Sequence, residues 1–212
     1  MKIEDFEIEV KKLGIELTSK QLEELTLFYK LLIDWNTKIN LTRITGLEEV
    51  YLKHFYDSLT LIKATDLTKD LTLCDVGSGA GFPGIVLKIV FPNLKITLID
   101  SLLKRVNYLN EIIKELELDD IKALHIRAED HQETYDLVTA RAVANLKDLT
   151  RICLPLVKKE GYFIAMKANL EEEMIDIEEH LKRLNSYIED ITNFKLPIED
   201  SNRNLVIIKK EI

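Results

Sequence analysis

The stretch from Leu71 to Val90 constrains this chain more than any other: an apolar β-rich run, LTLCDV, passes directly into Gly77-Ser78-Gly79-Ala80-Gly81-Phe82-Pro83-Gly84 and then into IVLKIV. A strand that ends in a glycine-rich turn and reopens as a helix places its loop where a crevice forms at the carboxyl ends of parallel strands. Glycine is required because the backbone turns sharply and meets a ligand with no Cβ in the way. Pro83 suits a first helical turn, where its missing N–H has no partner to lose. Free backbone donors and the positive helix end then favour an anionic or polar ligand group, such as the carboxylate of an amino acid. Gly77, Ser78, Gly79, Gly81 and Phe82 are the candidate binding residues. Asp100 ends the next β-rich run and is placed to accept hydrogen bonds from ribose hydroxyls. A dinucleotide fingerprint requires glycine where Phe82 stands, which argues against a nicotinamide cofactor. The Phe82 ring suits either packing or the flank of a sulfonium cation.

The rest of the chain supplies the layers around that loop. TSKQLEELTLFYKLLIDW, from Thr18, carries a capping box, Thr18 with Gln21, and then Leu22, Leu25, Phe28, Leu32 and Trp35 at helical spacing. Residues 47 to 64 continue the pattern through Val50, Tyr51, Phe55, Leu59 and Ile62. Short β-rich runs follow at 71 to 76, 95 to 100, 121 to 126, 137 to 140 and 161 to 167, with helical stretches between them. Strands alternating with helices pair in parallel through right-handed crossovers. A last helix is expected near 169 to 186. YIEDITNFKLP and NLVIIKK then read as an antiparallel hairpin. The expected fold is α/β and Rossmann-like, a seven-stranded mostly parallel sheet with a C-terminal antiparallel hairpin, similar to the methyltransferase sheet. An N-terminal helical extension at 1–66 is expected to pack on a core at 67–212, with 46% hydrophobic residues sufficient for one compact unit.

Net charge is −8, so the molecule as a whole repels a phosphate backbone and any nucleic acid must meet a local patch. Cys74 and Cys153 lie in apolar runs and point to a reducing cytoplasm. The N-terminus is charged throughout, without the apolar core of a signal peptide, and no segment approaches the ~20 apolar residues of a membrane span. A cytoplasmic monomer with no metal site and no membrane partner is expected.

Further motifs converge on one family. Asn40-Leu41-Thr42, His54-Phe55-Tyr56-Asp57-Ser58, the glycine loop, Asp100-Ser101 with Lys104-Arg105, Arg127-Ala128-Glu129, Ala140-Arg141-Ala142-Val143-Ala144 and Lys167 occur in order. In these pieces the chain resembles the RsmG family, also called glucose-inhibited division protein B, which methylates N7 of a guanine in bacterial small-subunit (16S) ribosomal RNA. The resemblance implies S-adenosyl-L-methionine as methyl donor and S-adenosyl-L-homocysteine as product. It implies that Gly77 and Phe82 line the cofactor pocket, that Ala128 and Glu129 border its adenine end, and that Arg141 projects into the site from the end of the fourth strand, where it is a candidate cofactor-binding residue as well. Asn40, His54, Asp57, Arg141 and Lys167 become the substrate-positioning candidates. The family usually has glycine after the lysine; Ala168 stands here, and a turn needing positive φ would be strained by it.

Guanine N7 has a lone pair and no proton, so its methylation needs no general base. TARAVANL, from Thr139, carries none of the Asp/Asn-Pro-Pro-aromatic element of amino-group methyltransferases, and neither cysteine is placed to attack a base. N7 faces the major groove, which is too deep in A-form RNA for side chains, so the target is an unstacked or loop guanine. Lys38, Arg43, Lys53, Lys104, Arg105, Arg141 and Lys167 are candidate phosphate contacts, each also readable as solvated surface. His54 and Asp57, three residues apart, either pair with each other or touch substrate. Asn40 and Thr42 either turn the chain or contact RNA. The acidic balance suggests a ribosomal subunit or assembly intermediate as substrate. A methyltransferase of a small molecule or protein, a nicotinamide-dependent oxidoreductase and a non-catalytic assembly factor are the alternatives.

Overall fold

The computed structural model describes residues 1–211; Ile212, the last residue assigned to the core, lies outside the described residues. Its centre is one seven-stranded sheet in the order β3-β2-β1-β4-β5-β7-β6. The strands are β1 (Thr72–Val76), β2 (Lys95–Asp100), β3 (Ile121–His125), β4 (Tyr135–Arg141), β5 (Val157–Lys167), β6 (Ser186–Lys195) and β7 (Asn202–Lys210). The first five pair in parallel, and β7 runs antiparallel to β5 and β6. The expected sheet and terminal hairpin are both borne out. Strand order reverses at β1, flanked by β2 and β4, so a crevice opens where these strands end. In that register Val76 lies beside Ala140, which brings the glycine loop next to Arg141.

Two apolar layers cover the sheet. On one face α5 (Gly84–Val90) and α6 (Leu103–Glu115) share a core with the N-terminal helices α1 (Ile3–Lys12) and α2 (Ser19–Ile39). On the other face lie α7 (Leu146–Cys153) and α8 (Ile177–Lys182). The capping box of α2 forms as expected: Thr18 Oγ1 accepts the Gln21 N–H at 3.2 Å, and Gln21 Oε1 accepts the Thr18 N–H at 2.9 Å. Gln21 Nε2 also donates to Ile89 O and Val90 O, tying the start of α2 to the last turn of α5. Leu25, Phe28 and Leu32 are fully buried, and the Phe28 ring stacks on Phe55 with centroids 5.6 Å apart. Among the described residues no helix is long and apolar enough to cross a membrane.

Residues 47 to 63 are helical, as expected, but with a changing pitch: α3 (Leu47–Val50) passes into a π-helical turn at Tyr51–Tyr56, then α4 (Asp57–Leu59) and a 3-10 turn at Thr60–Lys63. A wider turn of this kind re-aims side chains and recurs at functional sites. The helix expected near 169 to 186 is reduced to α8. Before it, residues 170–176 form turns in which the N–H groups of Glu173 and Met174 donate to Leu170 O, and Asp176 adopts a left-handed φ of 56°.

Candidate active site

The glycine loop is held from below. Asp75 is fully buried at the end of β1, and its Oδ2 accepts the Gly84 N–H at 2.9 Å. A Cβ on Gly84 would lie 2.8 Å from that oxygen, so glycine is obligatory there for close approach. Among the described residues no donor reaches Asp75 Oδ1. Burial pushes the Asp75 carboxyl up to about 6, against the lowering effect of the Gly84 hydrogen bond.

The amides of Gly77, Ser78, Gly79, Gly81 and Phe82 are engaged internally, which corrects the expectation that these are free donors. Gly77 and Ser78 donate to Ile99 O at 2.8 and 3.1 Å, Gly79 to Asp100 Oδ2 at 3.0 Å, and Gly81 and Phe82 to Ser78 O. The Ser78 hydroxyl turns inward to Asp75 O at 2.9 Å. What the loop presents is Cβ-free backbone. Gly77 has φ +71°, and a Cβ there would meet the Val143 side chain at 2.7 Å. Asp100 is buried and also accepts the Leu102 N–H at 2.9 Å, with Arg105 Nη1 3.5 Å from Oδ2. Each carboxylate oxygen keeps acceptor capacity beyond these bonds. Acceptors beside bare backbone suit a ligand that combines a ribose diol with a compact amino-acid arm. Arg105, with a side chain 34% exposed, thus pairs with Asp100, and Lys104 is exposed. Ala128 is buried and Glu129 exposed in a short 3-10 turn, Ala128–Asp130, beyond β3.

Arg141 organises the second half of the site. Its Nη1 donates to Asp57 Oδ2 and to Lys53 O, both at 3.0 Å, and Nη2 lies 3.0 Å from His54 Nδ1. A guanidinium only donates, so Nδ1 accepts and His54 Nε2 carries the proton, which it gives to Thr42 Oγ1 at 3.0 Å. Burial, with the Arg141 charge adding to it, lowers the His54 pKa to about 3, and the ring is neutral at pH 7. His54 and Asp57 do not bond to each other, contrary to one expectation. The planar fork of Arg141 takes an acceptor from each. Phe82 is buried under this cluster: the His54 ring stacks on it at 4.3 Å and the Arg141 guanidinium lies 5.2 Å from its centroid. It packs between the two halves.

Sequence reasoning missed two residues. Arg203, on β7, donates through Nε to Asp57 Oδ1 at 2.9 Å; a lone arginine in a hairpin carries no local signal. Asn36 Oδ1 accepts the N–H groups of Leu41 and Thr42 at 2.6 and 2.9 Å and so fixes Thr42 against His54. Asn40 is exposed and ends α2 in the left-handed region with φ 40°, a turn-forming role. Lys167 Nζ donates to Ala144 O at 2.8 Å and lies 2.9 Å from Glu173 Oε2. Ala168 does not have positive φ, so the strain expected there does not arise. Lys53, His54, Asp57, Arg141, Lys167 and Arg203 all line one cleft of about 440 Å³.

Comparison with known proteins identifies the family. The family model described as "GidB: rRNA small subunit methyltransferase G" matches residues 21–206, which takes in the helical extension, the glycine loop and Arg203. The chain is 49% identical to Ribosomal RNA small subunit methyltransferase G of Bacillus licheniformis, over 100% of its own length and 91% of the relative's. It is 48% identical to the protein of the same name from Bacillus subtilis, over 99% and 91%. Two solved structures share the fold. One is a SAM dependent methyltransferase from Aquifex aeolicus, with TM-score 0.58 and 20% identity over 77% of this chain and 93% of that one. The other is a ribosomal protein L11 methylase from Lactobacillus delbrueckii subsp. bulgaricus, with TM-score 0.58 and 19% identity over 81% and 83%. With the motifs in order, the sheet order that places them and a match over most of its length, this chain belongs to the rRNA small subunit methyltransferase G family.

Proposed function

We propose that this protein transfers the methyl group of S-adenosylmethionine to N7 of a guanine in small-subunit ribosomal RNA, releasing S-adenosylhomocysteine. One observation carries the reading: bare backbone at Gly77 and the Arg141 cleft lie side by side where β1 and β4 end, and the buried acid and imidazole groups there are already committed. The cofactor supplies an electrophilic methyl on a sulfonium. Gly77, Gly79 and Gly81 would present backbone to its amino-acid arm, Asp100 would accept from its ribose hydroxyls, and Ala128 and Glu129 would border its adenine. Ser78 and Phe82 act indirectly, by fixing the shape of the loop.

The cleft fits a nucleophile that needs no deprotonation. The Nδ1 lone pair of His54 is taken by Arg141, and Asp57 is shared by two arginines, so neither is available as a base. Guanine N7 meets that condition. Positioning of such a nucleophile by the cleft would supply on the order of 7 to 11 kcal/mol of rate enhancement. Arg141, Lys167 and Arg203 orient the RNA around an unstacked guanine, and exposed Lys104 meets its backbone. Residues 1–66 and the sheet domain act as one unit, because His54 and Asp57 come from the first and Arg141 from the second. With a net charge of −8, the enzyme works as a cytoplasmic monomer on ribosomal subunits or assembly intermediates, whose shape adds to recognition.

Mapping of 7-methylguanosine in 16S ribosomal RNA from cells lacking the protein tests the reading. A modification that disappears, and returns when purified protein and methyl donor are added to those small subunits, is the expected result. Faster restoration on subunits than on protein-free RNA is expected as well. An unchanged 7-methylguanosine pattern would overturn the proposal.

A further inference from the structure

The cleft beside Arg141 contains an anion of its own. Lys167 has a side chain only 10% exposed, and its Nζ lies 2.9 Å from Glu173 Oε2. The same carboxylate oxygen accepts the N–H of Leu146, the first residue of α7, at 2.6 Å. One oxygen thus sits between an ammonium and a backbone N–H on the wall of the cleft that Arg141 and Arg203 also line. A phosphodiester oxygen carries comparable charge and accepts from the same two donors.

Glu173 differs from the other acid of the cleft in how firmly it is held. The Asp57 side chain is 6% exposed, on a helical turn, and bonded to two arginines. Glu173 is 26% exposed and rides on the short turns before α8, so it can leave without breaking a strand.

We propose that Lys167 Nζ and the Leu146 N–H form a seat for an RNA phosphate, which Glu173 occupies in the free protein and vacates when RNA binds. This seat rests on the ribosomal RNA reading above. Its consequence is selectivity. A stray RNA must displace a carboxylate with a single contact, whereas the true substrate offsets that exchange through Arg141 and Arg203.

The test is binding of purified small ribosomal subunits to the full chain and to Glu173→Gln, which keeps an amide oxygen for Leu146 but removes the charge. The variant is expected to bind about three- to ten-fold tighter, because no carboxylate has to be displaced from the seat. The gain should vanish in a Lys167→Gln background. Equal or weaker binding by Glu173→Gln, alongside measurable binding by the unaltered protein, would overturn the seat while leaving the ribosomal reading intact. Absence of subunit binding by the unaltered protein would overturn both. Hydrogen exchange of the unaltered protein gives an answer that does not depend on the variant folding. The amides of Glu173 and Met174 should exchange faster in the complex with subunits, and slowed or unchanged exchange there would also overturn the seat.

Discussion

The glycine loop and the Arg141 cleft are neighbours built by opposite means. The loop is local: Asp75 to Gly84 and Asp100 hold one another through backbone amides, and the functional surface is the absence of side chains. The cleft is assembled from side chains that arrive from α4, the π turn, β4, β5 and β7, tied together by charge. Damage to the loop should therefore remove a binding surface outright. Damage to the cleft should be shared among several residues and show itself in the rate.

The largest effect is expected from Gly77→Val. An L residue at φ +71° costs on the order of 1 to 2 kcal/mol, and its Cβ meets Val143 besides. S-adenosylhomocysteine binding by calorimetry should fall by more than ~100-fold, equivalent to about 3 kcal/mol, while circular dichroism retains the native spectrum. Unchanged affinity would place the cofactor elsewhere and dissolve the contrast. Arg141→Ala comes next. It leaves Asp57 to Arg203 alone and strips the donor from His54 Nδ1, so methyl transfer should drop ~100-fold with cofactor affinity within a few-fold of normal. Destabilisation of about 2 to 3 kcal/mol is expected from the half-paired buried acid. Arg141→Lys should recover stability before it recovers rate, because an ammonium cannot reproduce the fork. A cofactor affinity that fell as far as in Gly77→Val would merge the two regions into one.

The same contrast explains what was readable from the amino acids. Gly77, Gly81, Pro83 and Asp100 announce themselves because local backbone geometry dictates residue type at fixed spacing, and the sheet follows from strand and helix periods. The Arg141 cleft was readable only as a set of motifs. Nothing local reveals that Arg141 bridges His54 and Asp57, since the π turn at Tyr51–Tyr56 that aims them has no periodicity of its own. Arg203 reaches Asp57 across 146 residues of chain, a contact made by the β5–β7 pairing. The charge of Arg105 is visible in the sequence, whereas its ion pair with Asp100 is not. The amides of Gly77, Ser78 and Gly79, expected to be free from the glycine pattern, are likewise spent on Ile99 and Asp100, acceptors contributed by a neighbouring strand.

Each region buries a titratable group with a strongly shifted pKa, and the two respond to acid with opposite sign. His54 has a folded pKa of about 3 against an ordinary 6.5, so the unfolded chain binds its proton more readily. Its contribution is fully present above about pH 6.5 and is lost as pH falls toward 3. Asp75 has a folded pKa of about 6 against an ordinary 3.8, so here the native state binds the proton first. The strain of its buried charge is present at pH 7 and is relieved as pH falls from about 6 to 4. Between pH 6.5 and 4 the two slopes oppose each other, and the unaltered protein should show a shallow stability profile. His54→Gln, whose amide oxygen can still accept from Arg141, should unmask the Asp75 slope, with the melting temperature rising on acidification from pH 7 to 5 relative to the parent. Asp75→Asn should do the reverse and steepen the acid loss. Parallel profiles for the parent and His54→Gln in scanning calorimetry would mean that the imidazole is not held neutral by burial beneath Arg141. The cleft would then contain an available base, and the match to a nucleophile without a proton would lose its support.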